Sequence, residues 1–359
     1  MQLTYKRLQK RVTMAEQTNK KKRMPTIFDI ARESGFSYST VSRTLSGFEF
    51  VKPSTREKIL EAAERLGYVP NQQARSLAGG PSHLIGVLVP TLTNDYIIQI
   101  LQGIDDELTK SSYNLILYTT NRHQGTEATY VATIMNGAAD GLLLVAPFLT
   151  DSYLETLNEG DFPYVLIDQE YEAEDSMVVK ATNRQGAYEA TQYLIELGHT
   201  RIGFIAGLPQ LNSAIERLKG YQAALSDNGI QFRDEYIVQG NFEMRTGYHA
   251  AHELLALHKS PTAIFAANDL SALGAIDAIR EQGLRIPQDI SIIGFDDIPQ
   301  AAVTYPKLTT VRQPLNQMGR EAVNLLLDRL QNTDLNIVKL TLNTELIIRD
   351  SCDIPVDQI

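Results

Sequence analysis

A succession of apolar runs separated by amphipathic stretches constrains the fold of this chain more than any other feature. The runs, in chain order, are LIGVLVP, NLILYTT, GLLLVAP, YVLID, MVVKAT, RIGFIAG, TAIFAA, DISIIGF and LTTVRQP. Segments such as NRQGAYEATQYLIELG and LSALGAIDAIREQG lie between them. Near-continuous Val, Ile, Leu and Phe are typical of parallel strands buried on both faces, and the intervening helices supply the crossovers that such strands require. The pattern predicts a doubly wound α/β architecture.

The length of 359 residues predicts two or three domains. We place a break between two parallel sheets near residues 181–183. Ligands of open α/β sheets bind beyond the carboxyl ends of the strands. Polar side chains that follow the strands are therefore the candidate binding residues of this part of the chain.

The residues before the first strand carry a different pattern, which predicts three short helices. They lie in PTIFDIARESG, FSYSTVSRTLSG and KPSTREKILEAAERLGY. Thr26 with Asp29, and Ser54 with Glu57, form capping-box patterns, and Ser37 can cap the second helix. The apolar residues expected to share one small core are Ile27, Ile30, Ala31, Val41, Leu45, Ile59, Ala63 and Leu66. The short connection between the first two helices is typical of a helix-turn-helix.

Charge is unevenly distributed along the chain. Residues 1–80 contain 15 Lys and Arg against 7 Asp and Glu, whereas the remainder contains 18 against 36. A basic head on an acidic body indicates that the head meets a polyanion. The second helix would then lie in the DNA major groove, where Arg43 can donate two hydrogen bonds to a guanine edge. A plain three-helix bundle with a solvated face is the alternative that periodicity leaves open.

The stretch PTIFDIARESGFSYSTVSRTLSG, followed by TREKILEAAERLGYVPNQQARSLAGG, resembles the DNA-binding head and hinge of the lactose-repressor (LacI/GalR) family. The resemblance implies a hinge helix that forms on the operator, with Leu77 as a wedge in the minor groove. A run of about seven residues is too short to be a stable helix alone. The predicted DNA-contacting residues are Thr26, Tyr38, Ser39, Thr40, Ser42, Arg43, Asn71, Ala74, Arg75 and Leu77.

The body is similar to the two-lobed, periplasmic-binding-protein-like module of the same family, which binds a small effector between its lobes. Position by position, the resemblance implies effector contacts from Asn94, Asp95, Tyr96, Asp168, Arg217, Phe242, Asn268 and Asp296. Carboxylates, an amide and a guanidinium can bond sugar hydroxyls in pairs, and an aromatic ring can cover the apolar sugar face. Each of these residues also has a structural alternative, such as a helix cap or a core position.

The predicted domain boundaries follow from these patterns. They are 1–24 for a basic leader that we expect to be disordered, 25–69 for the helix-turn-helix, 70–81 for the hinge helix and linker, 84–181 with 314–331 for lobe one, and 182–312 with 337–359 for lobe two. Cys352 is the single cysteine, so an intrachain disulfide is excluded. The C-terminal tail has no heptads, and the resemblance then implies a homodimer that reads a roughly palindromic operator.

Several functional classes lack their sequence signals. No dinucleotide fingerprint, phosphate loop or nucleophile elbow follows a strand, so we predict no enzyme activity, no cofactor and no metal. No apolar run is long enough to cross a membrane and no secretory signal is present, which predicts a cytoplasmic location. The sequence thus predicts a repressor of carbohydrate-utilisation genes controlled by a small sugar. The alternatives are a purine-like or protein corepressor, or a sugar-binding protein or enzyme without DNA function.

Overall fold

The computed structural model describes residues 25–45, 48, 50–68, 81–148, 151–170, 176–332 and 338–355. The predicted leader and hinge, residues 1–24 and 70–80, lie outside the described residues. The chain forms two compact units, Met1–Ala78 and Gly79–Ile359. Across the ranges that are described, no helix is both long and apolar enough to cross a membrane.

The first unit contains the three predicted helices, α1 (Ile27–Ser34), α2 (Tyr38–Leu45) and α3 (Pro53–Leu66). The Thr26 backbone N–H and hydroxyl both donate to the Asp29 carboxylate, at 2.8 and 2.7 Å, which closes the predicted capping box. The Ser37 hydroxyl accepts from the Thr40 N–H at 3.2 Å, as expected of a cap. The capping box predicted for Ser54 and Glu57 is wrong, because α3 begins at Pro53 and Ser54 therefore lies inside its first turn.

One small core holds these helices together. Its fully or nearly buried residues are Ile30, Val41, Ile59, Ala62 and Ala63, and partly buried Ile27, Ala31, Phe36, Leu45, Leu66 and Tyr68 pack around them. All three helices therefore contribute to it. Each large buried aliphatic side chain contributes roughly 1.5–3 kcal/mol relative to exposure. The apolar stripes read from the sequence are confirmed as the faces that meet.

The body contains two lobes that each surround a six-stranded sheet. The elements of lobe one are β1 (Leu84–Val89), α4 (Asp95–Leu108), β2 (Asn114–Thr119), α5 (Gln124–Thr133) with a π-helical turn Ile134–Ala138, β3 (Gly141–Val145), α6 (Asp151–Glu159), β4 (Tyr164–Ile167) and β5 (Met177–Ala181). The elements of lobe two are α7 (Asn183–Glu196), β6 (Ile202–Ala206), α8 (Asn212–Asp227), a 3-10 turn Asp234–Tyr236, β7 (Ile237–Gln239), α9 (Met244–Leu255), β8 (Ala263–Ala266), α10 (Asp269–Glu281), β9 (Ser291–Asp296), a 3-10 turn Pro299–Ala302 and β10 (Thr309–Arg312). The chain then continues through α11 (Leu315–Gln331), β11 (Lys339–Leu342) and β12 (Glu345–Ile347).

The sheet of lobe one has the order β11-β5-β4-β3-β1-β2 and is parallel throughout. The sheet of lobe two has the order β12-β10-β9-β8-β6-β7, with β12 antiparallel at its edge. Helices cover both faces, as alternate residues of β3 illustrate: Leu143 and Val145 pack towards α4 and α11, whereas Leu142 and Leu144 pack towards α5 and α6. The predicted doubly wound fold is confirmed.

The C-terminal segment corrects one predicted boundary. We expected all of 337–359 to belong to lobe two, but β11 pairs with β5 in lobe one, with Leu340 opposite Val179. Only β12 joins lobe two, where it pairs with β10. The physical reason is that β5 would otherwise expose an unpaired strand edge, which β11 covers.

Three crossings join the lobes at residues 182, 313–314 and 343–344. The first and third are tied together, since the Thr182 and Thr344 hydroxyls lie 2.9 Å apart and the Thr344 N–H donates to Thr182 Oγ1 at 2.9 Å. The side chain at the second crossing, Gln313, donates to Asp296 Oδ1 at 2.7 Å. The crossings are therefore adjacent to the polar ends of the strands.

Lobe one contains a close approach between α4 and α11. A Cβ atom at Gly103 would lie 1.9 Å from the Asn316 carbonyl oxygen, and one at Gly319 would lie 2.2 Å from the Ile100 carbonyl oxygen. Only glycine allows the two backbones to approach this closely. This contact seats α11, which follows lobe two in the chain, on the sheet of lobe one.

Candidate functional site

The exposed side of α2 presents the residues that we predicted to read DNA. Tyr38 is 50% exposed, and Ser39 and Arg43 are also exposed, whereas Thr40 and Ser42 are partly buried. Ser37 Oγ lies 3.0 Å from the Ser39 hydroxyl and 2.8 Å from the Thr40 hydroxyl, so the cap holds both side chains in place. Thr26 lies at the start of α1, where its hydroxyl is engaged by Asp29.

Aromatic side chains beside α2 were missed from the sequence. The Phe28 ring stacks on the Tyr38 ring, with centroids 4.9 Å apart and planes inclined by 26°. Phe28 is 64% exposed although it is large and apolar. The signal was present, because Phe28 falls off the buried stripe of α1, and an exposed aromatic pair is a typical contact surface.

The loop after α2 orients the base-reading candidate Arg43. Its guanidinium carbon lies 5.8 Å from the centroid of the Phe48 ring, within cation–π range. Arg56 of α3 donates to the Phe48 carbonyl at 2.6 Å and fixes this loop against the bundle. The remaining predicted DNA-contacting residues, Asn71, Ala74, Arg75 and Leu77, lie outside the described residues, and their roles stay predictions.

In the body, most predicted effector residues lie at the carboxyl ends of strands. Tyr96 follows β1, Asp168 follows β4 directly, and Asp296 is the last residue of β9. Phe242 follows β7 and Asn268 follows β8. Parallel strands bring these ends to one edge of each sheet, so residues distant in sequence meet in one region.

A chain of buried hydrogen bonds links four of the predicted residues across the two lobes. The Tyr96 hydroxyl donates to Asp168 Oδ2 at 2.7 Å, and Asn183 Nδ2 donates to Asp168 Oδ1 at 3.2 Å. Arg217 Nε donates to Asn183 Oδ1 at 2.9 Å, and Arg217 Nη1 lies 3.4 Å from Asp296 Oδ1. This continuous path is the structural basis for treating the residues as one site.

Arg217 is almost completely buried, at 2% exposure. Its guanidinium carbon lies 3.8 Å from the centroid of the Phe295 ring and 5.7 Å from that of the Phe242 ring. Arg217 Nη1 also donates to the Ala267 carbonyl at 2.6 Å. Aromatic rings and acceptors therefore hold this guanidinium rigidly, which favours a fixed binding geometry.

Burial raises the pKa of Asp296 to about 7, although Arg217 and the amide of Gln313 oppose this shift and Asp168 adds to it. Burial and the nearby Asp168 carboxylate also hold the pKa of Tyr96 well above its usual range. Groups with raised pKa values at strand ends are typical of functional sites. The site therefore contains a carboxyl group whose proton occupancy changes near neutral pH.

The other predicted residues have different placements. Asn94 caps α4, with Oδ1 accepting from the Ile97 N–H at 2.9 Å, and Asp95 accepts a hydrogen bond from the Gln300 side chain of lobe two. Asn268 caps α10 and donates to the Phe242 carbonyl at 3.1 Å. Asn94 and Asn268 thus act as helix caps, a role that the sequence analysis had not assigned to them, and their contact with an effector stays a prediction.

Sequence reasoning missed several members of the site. Asn183 and Gln313 are 6% and 4% exposed and stand at the crossings between the lobes. The predicted break near residues 181–183 was a signal for Asn183. Gln300, Phe295 and Arg122 had no comparable signal, because only the tertiary fold brings them to the strand ends.

A cavity of about 720 Å³ adjoins this cluster. Asp168 and Asn183 form part of its wall, together with residues at the end of β5 and on α7 and α8. Arg217, Phe242 and Asp296 do not line it, so the cavity meets the buried cluster at one side only. No group of three or more His, Cys, Asp or Glu residues suited to a metal ion occurs in the part of the chain that the structure describes.

Comparisons with known proteins match both units. Residues 26–71 match the family model for bacterial regulatory proteins of the lacI family, and residues 191–352 match the periplasmic binding protein-like domain. Catabolite control protein A from Priestia megaterium is 36% identical over 88% of this chain and 96% of its own length.

Solved structures agree over nearly the whole length. The transcriptional regulator CelR in complex with cellobiose is 32% identical, with a TM-score of 0.72 over 91% of this chain and 99% of CelR. The lac repressor dimer bound to operator and the anti-inducer ONPF is 29% identical, with a TM-score of 0.80 over 92% of this chain and 99% of the repressor chain. The two-unit organisation is thus shared with DNA-binding regulators.

Proposed function

The chain belongs to the lacI family of bacterial regulatory proteins and is a DNA-binding transcriptional repressor, and on this premise we propose that it controls carbohydrate-utilisation genes in response to a small sugar bound between its two lobes. It is a regulator and not an enzyme. The observation that carries the sugar proposal is the buried chain from Tyr96 to Asp296, which lies beside an aromatic ring.

The chemistry of this chain suits a polyhydroxylated ligand. Asp168, Asn183 and Asp296 place carboxylate and amide groups at neighbouring strand ends, where each can bond adjacent hydroxyls. The Phe242 ring lies against Gly207 at the end of β6, where a Cβ atom would be 2.0 Å from the ring. A ring held in this way can cover the apolar face of a sugar. The cellobiose bound by CelR supports this ligand class.

We further propose that the chain binds a roughly palindromic operator as a homodimer in the cytoplasm. The exposed Tyr38, Ser39 and Arg43 on α2 are suited to base edges, and the lac repressor is a dimer on its operator. Two α2 helices would then read two half-sites.

The effector would act through links between the lobes. Gln300 of lobe two donates to Asp95 of lobe one. Gln169 Nε2 donates to the Gln210 carbonyl at 3.1 Å, and the Asn212 N–H donates to Gln169 Oε1 at 2.8 Å. A sugar that changes the relative position of the lobes alters these bonds, and it shifts DNA affinity only by its different affinity for the two states.

Titration calorimetry on the full chain tests the ligand class. We expect a member of a panel of neutral mono- and disaccharides, cellobiose included, to bind, and we expect nucleobases not to bind. Phe242→Ala should weaken sugar binding by about ten- to a hundredfold, because an aromatic contact of this kind contributes roughly 1–3 kcal/mol. Phe232→Ala, which removes a partly exposed ring elsewhere in lobe two, is the matched control. Binding of a nucleobase in place of any sugar would refute the proposal.

A gel-shift assay on DNA upstream of the gene tests operator binding independently. We expect a sequence-selective shift that weakens steeply with salt, because phosphate contacts release counterions. Arg43→Gln should reduce the preference for the specific DNA. A shift that is equal on unrelated DNA would contradict operator recognition.

A further inference from the structure

We propose that the effector carries an acidic group, a carboxylate or a phosphate, and that Arg122 binds this group on the lobe-one side of the cleft. The inference rests on the proposed function, since it specifies the ligand of the same site. It assigns a role to a residue outside the set expected to contact the effector.

Arg122 follows the carboxyl end of β2, the edge strand that pairs with β1. Its backbone has φ of +57°, and that of the preceding Asn121 has φ of +49°. Two successive left-handed residues without glycine are costly, and such conformations persist where the surrounding structure holds a functional side chain in place.

The neighbours of Arg122 place its guanidinium on the cleft. Three titratable groups interact electrostatically with Arg122: Tyr96 and Glu127 of lobe one, and Glu243 of lobe two, which adjoins Phe242. Its guanidinium carbon lies 5.2 Å from the centroid of the Phe148 ring, at the end of β3. Groups from both lobes therefore surround the Arg122 side chain, as they surround the series of hydrogen bonds from Tyr96 to Asp296.

Arg122 Nη1 is buried and has no hydrogen-bond partner among the residues that the structure describes. Glu127 does not accept from it in the structure, where Glu127 Oε1 accepts from the Phe148 N–H at 3.2 Å and Oε2 from the Tyr153 hydroxyl at 3.0 Å. Burial lowers the pKa of Arg122, although Tyr96, Glu243 and Glu127 oppose this shift. A buried donor without an acceptor is unfavourable, and an anionic acceptor would satisfy both the donor and the charge.

Arg217 provides the contrast within the same site. Its guanidinium already has Asn183, the Ala267 carbonyl and Asp296 as acceptors. A ligand gains less charge-assisted bonding from a guanidinium that is already satisfied than from one that is not. The geometry thus points to Arg122 as the group that selects an acidic effector, with Arg217 supporting the hydroxyl-binding groups.

The experiment uses calorimetry on the full chain with matched sets of sugars. Each set contains a neutral sugar, its uronic acid and its terminal phosphate, in the gluco, galacto, manno and ribo series. We expect at least one acidic member to bind at least about tenfold more tightly than its neutral partner, as expected of a charge-assisted bond. The uronic acid and phosphate arms distinguish the two sources of negative charge.

Variants separate Arg122 from a general charge effect. Arg122→Gln should abolish the preference for the acidic member over its neutral partner, and Arg122→Lys should restore part of the preference. Arg320→Gln is the matched control, because Arg320 is 45% exposed on α11 and pairs with Asp106. The control should retain the full preference.

Two outcomes would overturn the proposal. One is that no acidic sugar in any set binds more tightly than its neutral partner. This outcome includes the case in which neither sugar of a set binds. The other is a preference that survives in Arg122→Gln. Operator binding in the gel-shift assay and affinity for neutral sugars are read separately, so failure of this inference is distinguishable from failure of the proposed function.

Discussion

Replacing Asp296 by Asn should change how stability depends on pH. The carboxyl group is 4% exposed, and burial raises its pKa to about 7. In the unfolded chain an Asp side chain has a pKa near 3.9. Between these two values the native protein holds a proton that the unfolded chain releases, so the free energy of unfolding falls as pH rises. Asn cannot titrate, yet its Oδ1 can still accept from Gln313 and Arg217.

The size of the expected change in unfolding free energy follows from the pH range between the unfolded and the folded pKa of Asp296. One pKa unit corresponds to about 1.4 kcal/mol. From pH 5 to pH 7 the native protein should therefore lose about 2 kcal/mol relative to Asp296→Asn, and the difference should level off above pH 8. The variant gains relative stability as pH rises. Glu127, whose pKa burial also raises, is common to both proteins and cancels in the difference.

Urea unfolding of both proteins at pH 5, 6, 7, 8 and 9 measures this difference directly. The constant difference above pH 8 is the internal control, since Asp296 is ionised there in both folded and unfolded states. A difference that stays constant between pH 5 and pH 8 would refute the assignment of a near-neutral pKa to Asp296. If Arg217 outweighed burial, the pKa of Asp296 would lie below its unfolded value, and the difference would also stay constant over this pH range.

Other regions of the chain give further predictions. Gly103→Ala should lower the free energy of unfolding by about 1–3 kcal/mol in urea melts, because its Cβ would lie 1.9 Å from a carbonyl oxygen of α11. Gly125→Ala on α5, with no atom within 4 Å, should be neutral or stabilising, so equal losses would contradict the close-packing argument. Tyr38→Ala removes an exposed stack on Phe28, and it should weaken operator binding in gel shifts while changing the unfolding free energy by less than about 1 kcal/mol. Leu77→Ala should weaken specific binding far more than non-specific binding, and equal losses on both DNAs would reduce its segment to a tether.

Local patterns in the sequence were sufficient for the elements and for the class of fold. The apolar runs became strands of two sheets, and the stripes through Ile30, Val41 and Ile59 became the core of the three-helix unit. Such patterns can be recognised in the sequence because the spacing of apolar residues repeats within a few residues in a helix or a strand. Short edge strands lack this repeat, and β7, with only three residues, was therefore missed.

The candidate binding site could be predicted only in part from the sequence. Polar residues after strands were expected, and Asp168, Arg217 and Asp296 do join one hydrogen-bonded chain. Their linking residue Asn183 was not identified beforehand. Sequence reasoning could place the strand ends, but it could not say which side chains would pair with one another there.

The sequence by itself determined a basic helix-turn-helix followed by a doubly wound body, because charge balance and periodicity are local properties of the chain. Only the tertiary structure decided that β11 returns to lobe one, that Gln300 meets Asp95, and that the buried Nη1 of Arg122 has no hydrogen-bond partner among the described residues. These contacts join residues far apart along the chain, and their geometry depends on how the crossings bring the two sheets together. The unpaired Nη1 donor of Arg122 is evident only from the folded structure, since the number of acceptors around an atom depends on its packed surroundings.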